Sequence, residues 1–474
     1  MLFDGLTRIG RDGKVELALA EHVDVSDDGC TYRFFLREAT WSSGQPVTAA
    51  DFVYAWRTVL SPDFLTPQAS FLYVIKNGRL AKEGKVDPSS IGVIAVSDHL
   101  LEVVLEYPVP HFLELLAQPV FFPVCAEVDR TTPHWASSPS LYVSCGPFRL
   151  AAWSHSGEIV VKKNPLYWDA SSVKLSQIDL VMVGELSELQ MYENRQLDWA
   201  GSPLSVLPID ALDHLKGSRE LNVKPFLATY FFRCNVQRFP LHHLLMRKAL
   251  SLAIRREEIT EYVLCGGQMP AWGLAPPAMG IEAQSVSGNS RECFEEALRE
   301  MGVDKEACPA ITLIYIAGGK NHPIAQTVQR QWEEALGIEV RLEPLERKVY
   351  LDRLSRGDYM LAASSWTADF DDPLTFFEVF KFASGGTNNT GWENSDYRHI
   401  LDKAVTVADP VERNRLLAAC HAILAEELPV IPVFHYTQLY VKSERVRDVA
   451  LTNLGSIDFK WAYLDSDTSS SPSF

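Results

Sequence analysis

No apolar run in this chain approaches the roughly 18 residues that a membrane-spanning helix requires. The longest apolar clusters, at 119–126 and 428–434, have strand length and are interrupted by proline. No cluster of lysine or arginine offsets the formal charge of −17. Such a field repels phosphate backbones, which excludes nucleic acid as a partner. None of the eight cysteines (Cys30, Cys125, Cys145, Cys234, Cys265, Cys293, Cys308, Cys420) stands at C-x-x-C spacing, and no histidine pattern flanks them. A metal site is therefore not expected, whereas buried free thiols are; disulfides are the alternative in an oxidising compartment. Catalytic signatures are equally scarce. The chain has no G-x-S-x-G elbow, no H-E-x-x-H helix and no complete phosphate loop, because Asn321 follows Gly318-Gly319-Lys320 where a hydroxyl residue is required. His242-His243 reads as a solvated turn pair. No leader is legible after Met1, so the chain is expected either to be cytosolic or to have lost a targeting segment. These absences argue for no enzyme and for no cofactor.

What is present is a mixed α/β pattern. A chain of 474 residues exceeds one hydrophobic core, and 47% hydrophobic with 22% charged residues is the balance of a globular protein of two or three lobes. Residues 31–36 alternate as a strand with Tyr32, Phe34 and Leu36 on one face. Thr48 and Asp51 form a capping-box pattern that opens a helix whose Phe52, Ala55, Trp56 and Val59 face a core. Strand pairs are expected at 91–96 with 100–105, followed by a helix near 112–116, and at 148–153 with 158–163 around a turn at 154–157. A helix is expected from 246 through 258. Strand 311–316, helix 323–336 closed by Gly337, and strand 338–342 form a strand–helix–strand unit with parallel strands. The serine-rich tail 465–474 is expected to be disordered.

Five segments, in order, resemble one family. Trp41-Ser-Ser-Gly-Gln-Pro-Val-Thr-Ala-Ala-Asp-Phe-Val-Tyr-Ala-Trp56, preceded by Phe35-Leu-Arg37, is similar to the most recognisable stretch of the family-5 extracellular solute-binding proteins. These are the oligopeptide- and dipeptide-binding components of ABC importers. Gly146-Pro-Phe148 through Trp153 with Lys163-Asn-Pro-Leu-Tyr-Trp168 resembles a second landmark, and Arg247 to Ile254 with Gly266, Pro270 and Ala271 a third. Trp366-Thr-Ala-Asp-Phe-Asp-Asp-Pro373 with Asn388-Asn-Thr390 resembles the ligand-contacting segment. Leu428-Pro-Val-Ile-Pro-Val-Phe-His-Tyr436 resembles the last.

The resemblance implies a periplasmic-binding-protein-like fold (type II, cluster C). Two α/β lobes are joined by a hinge and carry an extra inserted α+β domain. Lobe I then takes 1–5, 126–227 and 437–474, the inserted domain 6–125, and lobe III 228–436. In the family a further strand precedes the segment matched by Met1, which implies either a trimmed chain or an incomplete lobe I. The implied function is capture of short peptides between closing lobes and their delivery to the importer's permease subunits. The implied protein is a monomer that works in the periplasm or elsewhere outside the cytoplasm and does not itself span a membrane. Receptors for glutathione, a murein peptide or a nickel or haem complex are alternatives within the family. A chaperone or surface protein of the same fold is an alternative outside transport.

The same resemblance implies the site. Asp369 matches the aspartate that pairs with the ligand ammonium, the other reading being a turn cap shared with Asp371 and Asp372. Ser364, Ser365 and Thr367 belong to the edge that receives the peptide backbone as an added strand, and Trp366 is the aromatic lining it. Tyr230, His322, Asn388 and Tyr436 match further pocket positions. The chain departs from the family where Arg233 follows Tyr230-Phe-Phe232 and where Arg347 replaces a tryptophan. The usual carboxylate-binding arginines fall on Leu354 and Ala363. A relocated cationic lining that favours acidic peptides follows as an expectation, the alternative being two solvated surface charges.

Overall fold

The computed structural model describes all residues except 155–156, 283–285, 385, 408 and 466–474. The tail expected to be disordered lies outside the described residues from 466 onward, as do two residues of the expected turn at 154–157. The chain forms two compact units, one of 1–205 with 442–452 and 456–474, the other of 206–441 with 453–455.

In the first unit, strands β1 (Thr7–Ile9) and β2 (Val15–Leu17) pair, and a four-stranded antiparallel sheet follows. Its strands are β3 (Ala20–Val25), β4 (Thr31–Leu36), β5 (Val93–Ser97) and β6 (Leu100–Val104), in the order β3-β4-β6-β5. The alternation of β4 buries Tyr32, Phe34 and Leu36, as their spacing of two requires. Helix α1 (Ala49–Val59) begins at Thr48, whose backbone N–H donates to Asp51 at 3.0 Å. The buried Asp51 also accepts from the Ala126 N–H at 3.1 Å and from the Trp41 indole at 3.3 Å. One carboxylate thus ties a helix start to two distant segments. Asp51→Ala is expected to strand these donors and to lower stability by about 2–3 kcal/mol, read as a reduced urea midpoint at unchanged slope. A three-stranded meander, β7 (Phe148–Trp153), β8 (Glu158–Lys163) and β9 (Gln177–Val181), completes the unit's larger sheets.

The second unit is a mixed sheet wrapped by helices. Its elements are β10 (Asn222–Cys234), α2 (Leu244–Ala253), β11 (Met269–Pro270), β12 (Ile311–Ile316), α3 (Asn321–Leu336), β13 (Val340–Leu345), α4 (Arg347–Ser355), β14 (Leu361–Thr367), α5 (Pro410–Glu427) and β15 (Val430–Lys442). The strand order is β15-β10-β14-β12-β13, with β11 added to β15. Strand β12 runs parallel to both β13 and β14. Tyr230, Phe232 and Cys234 of β10 point into the main core with Leu313, Tyr315, Val328 and Trp332. The opposite face carries a smaller core of Ile314, Tyr350, Leu354, Tyr359 and Ala362. Helix α3 therefore covers one face and α4 the other.

Several boundaries differ from the sequence reading, among them two in the second unit. The strand after Gly337, which adopts φ +63° as a helix-ending residue, starts at Val340 rather than 338. The helix expected to run from 246 through 258 breaks at Ile254, whose backbone is extended, and a short turn of helix restarts at Arg256–Glu258. The cause is Arg256. Its buried guanidinium donates to the carbonyls of Ser251 (3.0 Å), Ala271 (2.8 Å) and Pro432 (2.9 Å) and lies over the Trp272 ring at 4.2 Å. A side chain that satisfies the last-turn carbonyls ends the helix as a cap does. All eight cysteines are free thiols, of which Cys125, Cys145, Cys234 and Cys420 are buried.

Candidate functional site

The order β13-β12-β14 creates a topological switch. Strand β12 leads through α3 to β13 on one side, and β13 leads through α4 back across β12 to β14. In such sheets the crevice outside the carboxyl ends of the strands, between the two that diverge, receives ligands. Three residues singled out in sequence occupy that edge. His322 lies in the first turn of α3 after β12, Arg347 opens α4 after β13, and Asp369 follows β14 by two residues.

The strands splay at this point. Strands β12 and β14 pair only with Leu313 opposite Leu361 and Ile314 opposite Ala362. Strand β10 pairs with β14 along its whole length, from Ala228 opposite Thr367 to Cys234 opposite Leu361. Residues 363–367 thus have a neighbour on one side and, among the described strands, none on the other. Open backbone donors and acceptors on such an edge are a template for an added strand. Ser365 and Thr367 are exposed there and Ser364 is half-buried.

Two side chains shape the open edge. Trp366 is half-buried, and its indole N–H is buried without a hydrogen-bond partner among the described residues. A buried donor left so calls for an acceptor. Tyr436 shares a hydrogen bond with Ser365, and burial pushes its phenol up to about 12. It lies 4.9 Å from the ring of Phe434, which stacks on Tyr230 at 5.0 Å. Tyr230 is itself a core residue, and its hydroxyl is likewise buried without a partner.

Asp369 retains an exposed side, yet the surrounding protein removes enough water to raise its carboxyl above the usual range. The Thr375 hydroxyl accepts from the Asp369 N–H at 3.1 Å and donates to its carboxylate at 3.3 Å, which fixes the side chain. Asp371 is raised by desolvation and then by the charge of Asp372. Asp372 has a separate task. It caps the Leu374 N–H at 2.9 Å and takes both arms of the buried Arg413 at 2.6 and 3.0 Å. The three acids therefore do not share one cap: Asp372 is an anchor, while desolvation raises the carboxyls of Asp369 and Asp371.

Two sequence expectations need correction. Arg233 is neither a solvated charge nor a free clamp. It is 5% exposed, donates through Nη1 to the Thr387 carbonyl at 2.7 Å and to the Asn388 carbonyl, and reaches Ser364 through Nε at 3.1 Å. Alternation explains this: Phe231 and Arg233 share the face opposite Tyr230 and Phe232, which points the arginine under the 387–390 turn. Asn388 has no exposed surface. Its amide nitrogen serves the Phe382 and Trp392 carbonyls at 3.0 and 3.1 Å, and its oxygen serves the Thr390 N–H and hydroxyl. With every polar valence spent inside the turn, it has nothing to offer a ligand. The Ser364 hydroxyl is engaged too, between Arg233 and the Tyr350 hydroxyl at 2.9 Å, while its backbone stays on the open edge. Arg347 is exposed, and His322, also exposed, is bonded to the Tyr315 hydroxyl at 2.6 Å. Sequence reasoning missed Tyr350 and Thr375, which hold Ser364 and Asp369; Thr375, six residues after Asp369 in a Pro-led turn, was the one signal available.

A doubly wound lobe with an unpaired strand end and carboxylates at its carboxyl edge is a ligand-binding architecture. The sequence model for bacterial extracellular solute-binding proteins, family 5 (Middle), matches residues 14–388. The chain belongs to that family. It is 38% identical over 473 residues to the oligopeptide-binding protein OppA of Bacillus subtilis, covering 97% of this chain and 87% of the relative. It is 30% identical over 447 residues to the murein peptide-binding protein MppA of Escherichia coli, covering 92% and 82%. Among solved structures, Haemophilus influenzae OppA in complex with RPPGFSPFR superposes with a TM-score of 0.81 at 27% identity, over 98% of this chain and 93% of the other. Unliganded, open MppA superposes with a TM-score of 0.79 at 27% identity, over 98% and 91%. The fold is the periplasmic-binding-protein one, with two lobes and an additional inserted domain. No helix among the described residues is long and apolar enough to cross a membrane.

Proposed function

We propose that this chain captures short peptides outside the cytoplasm and hands them to the permease of an ABC importer, performing no chemistry on them. The observation that carries the reading is the unpaired stretch 363–367 of β14, two residues ahead of Asp369. An extended peptide fits each of these features. Its backbone completes the strand edge, its ammonium meets a desolvated carboxylate, and a carbonyl is the acceptor that the Trp366 indole needs. The relatives named for oligopeptides and murein peptide support this chemistry. The division into lobe I, inserted domain 6–125 and lobe III 228–436 belongs to the same proposal.

Asp369→Asn is expected to weaken binding of free-amine peptides by about 10- to 100-fold, less than a fully buried pair would cost because one side of the carboxylate stays wet. N-acetylated peptides should bind the wild type as weakly as free peptides bind the variant. Calorimetry that shows equal affinity for free and acetylated peptides would remove Asp369 from the site. Native mass spectrometry of the purified protein should show peptide masses retained on the chain; a single non-peptide adduct would point to a specialised receptor instead.

A further inference from the structure

A second concavity, of 680 Å³, lies wholly within the first unit, between the start of the β7–β8 hairpin and the turns at 42–43 and 138–143. Arg149 of β7 and Lys162 of β8 stand directly opposite each other in register, and both are exposed. Like charges in that position repel. Neither has an ion pair or hydrogen bond among the described residues, although acids outnumber bases 61 to 44 in the chain. The other polar side chains of the lining are the hydroxyls of Ser42, Ser43, Ser138, Ser140 and Tyr142, and no carboxylate lines it.

The hydroxyls have protons to give. Ser42 Oγ accepts the Ser144 N–H at 3.1 Å, which uses a lone pair and leaves its O–H free to donate. Ser138 and Ser140 share one hydrogen bond at 3.0 Å, so one of the two still holds an unused proton. Ser43 makes no hydrogen bond through its side chain among the described residues. A forked guanidinium, an ammonium and three hydroxyl donors, with no competing acid, match a tetrahedral oxyanion.

We propose that this concavity is a binding site for a phosphate group, carried either by a soluble phosphate or by an anionic phospholipid headgroup. Arg149 supplies the bidentate contact and Lys162 the second charge. The site shares no residue with the peptide site. Thermal unfolding in sodium phosphate against sodium chloride at equal ionic strength, and co-sedimentation with phosphatidylcholine vesicles with and without phosphatidylglycerol, test it. The wild type should gain stability in phosphate, bind the anionic vesicles, or do both. Arg149→Gln with Lys162→Gln should reduce that affinity at least ~10-fold, and Arg149→Lys, which keeps the charge but loses the fork, should reduce it measurably. A phosphate response alone identifies a soluble ligand, and vesicle binding identifies a headgroup. The double variant must keep its unfolding midpoint in chloride; should it not, Ser43→Ala with Ser140→Ala gives the same comparison. Absence of both responses in the wild type, or responses unchanged in the variants, overturns the site.

Discussion

Arg233→Met is expected to lower the stability of the second unit by about 3–5 kcal/mol while leaving peptide selectivity unchanged in whatever fraction remains folded. The guanidinium is buried and has no carboxylate among its described partners. Desolvation lowers its pKa, and the neighbouring Tyr359 and Tyr350 hold it up only in part. What justifies a charge there is the 387–388 backbone, whose carbonyls it satisfies. Methionine fills the volume but leaves those carbonyls and Ser364 without a donor. Lysine carries the charge without the fork, so Arg233→Lys should fall between the two, at about 2 kcal/mol. Because Ser364 lies on the strand proposed to receive the peptide, a uniform loss of affinity is compatible with this role, but a specific loss for acidic peptides is not. Urea unfolding and a peptide-library screen on both variants separate a structural arginine from a ligand clamp.

That arginine shows where sequence stopped informing the site. Strands at 31–36, 148–153, 158–163 and 311–316 were legible to the residue: at 31–36 alternation records which face is wet, whereas 311–316 is a short apolar run buried almost throughout. The βαβ unit was legible because Gly337 must end its helix and right-handed crossovers leave little choice of topology. His322, Arg347 and Asp369 were singled out by resemblance to the family, not by any pattern that placed them on the sheet. Burial of the individual side chains was not legible. Arg233 and Asn388 both have residue types that favour the surface, and only the turn they share makes them interior. The same blindness made 246–258 look like one helix, since the carbonyls that Arg256 caps come from residues as far away as Pro432.

Acidification should destabilise the second unit by about 3–6 kcal/mol between pH 7 and pH 4, through two buried histidines outside the proposed peptide site. His421 and His435 both fall from 6.5 to about 4, chiefly because burial removes the water that would solvate their charged forms, and His435 additionally because His421 is near. Their hydrogen bonds fix the neutral tautomers. The Thr229 hydroxyl spends its single proton on the Leu274 carbonyl at 2.8 Å, so it can only accept from His435 Nδ1, also at 2.8 Å. The Leu274 N–H donates to His421 Nε2 at 2.9 Å, which places that ring's proton on Nδ1. Protonating His421 would set a donor against a donor. Above pH 6.5 both rings are neutral folded and unfolded, and the full stability is present. From 6.5 down to about 4 the unfolded chain binds protons that the folded one refuses, so stability falls as pH falls. Asp369 and Asp371, with raised pKa values, act in the opposite direction over the lower part of that range, which places the total below the simple sum for two histidines. His421→Gln keeps an acceptor for Leu274 and cannot charge. Urea titrations at pH 7 and 4.5 should therefore give this variant a shallower dependence than the wild type. Equal slopes would mean that His421 takes up its second proton alike in the folded and unfolded chain, and that the Leu274 network is not what acid breaks.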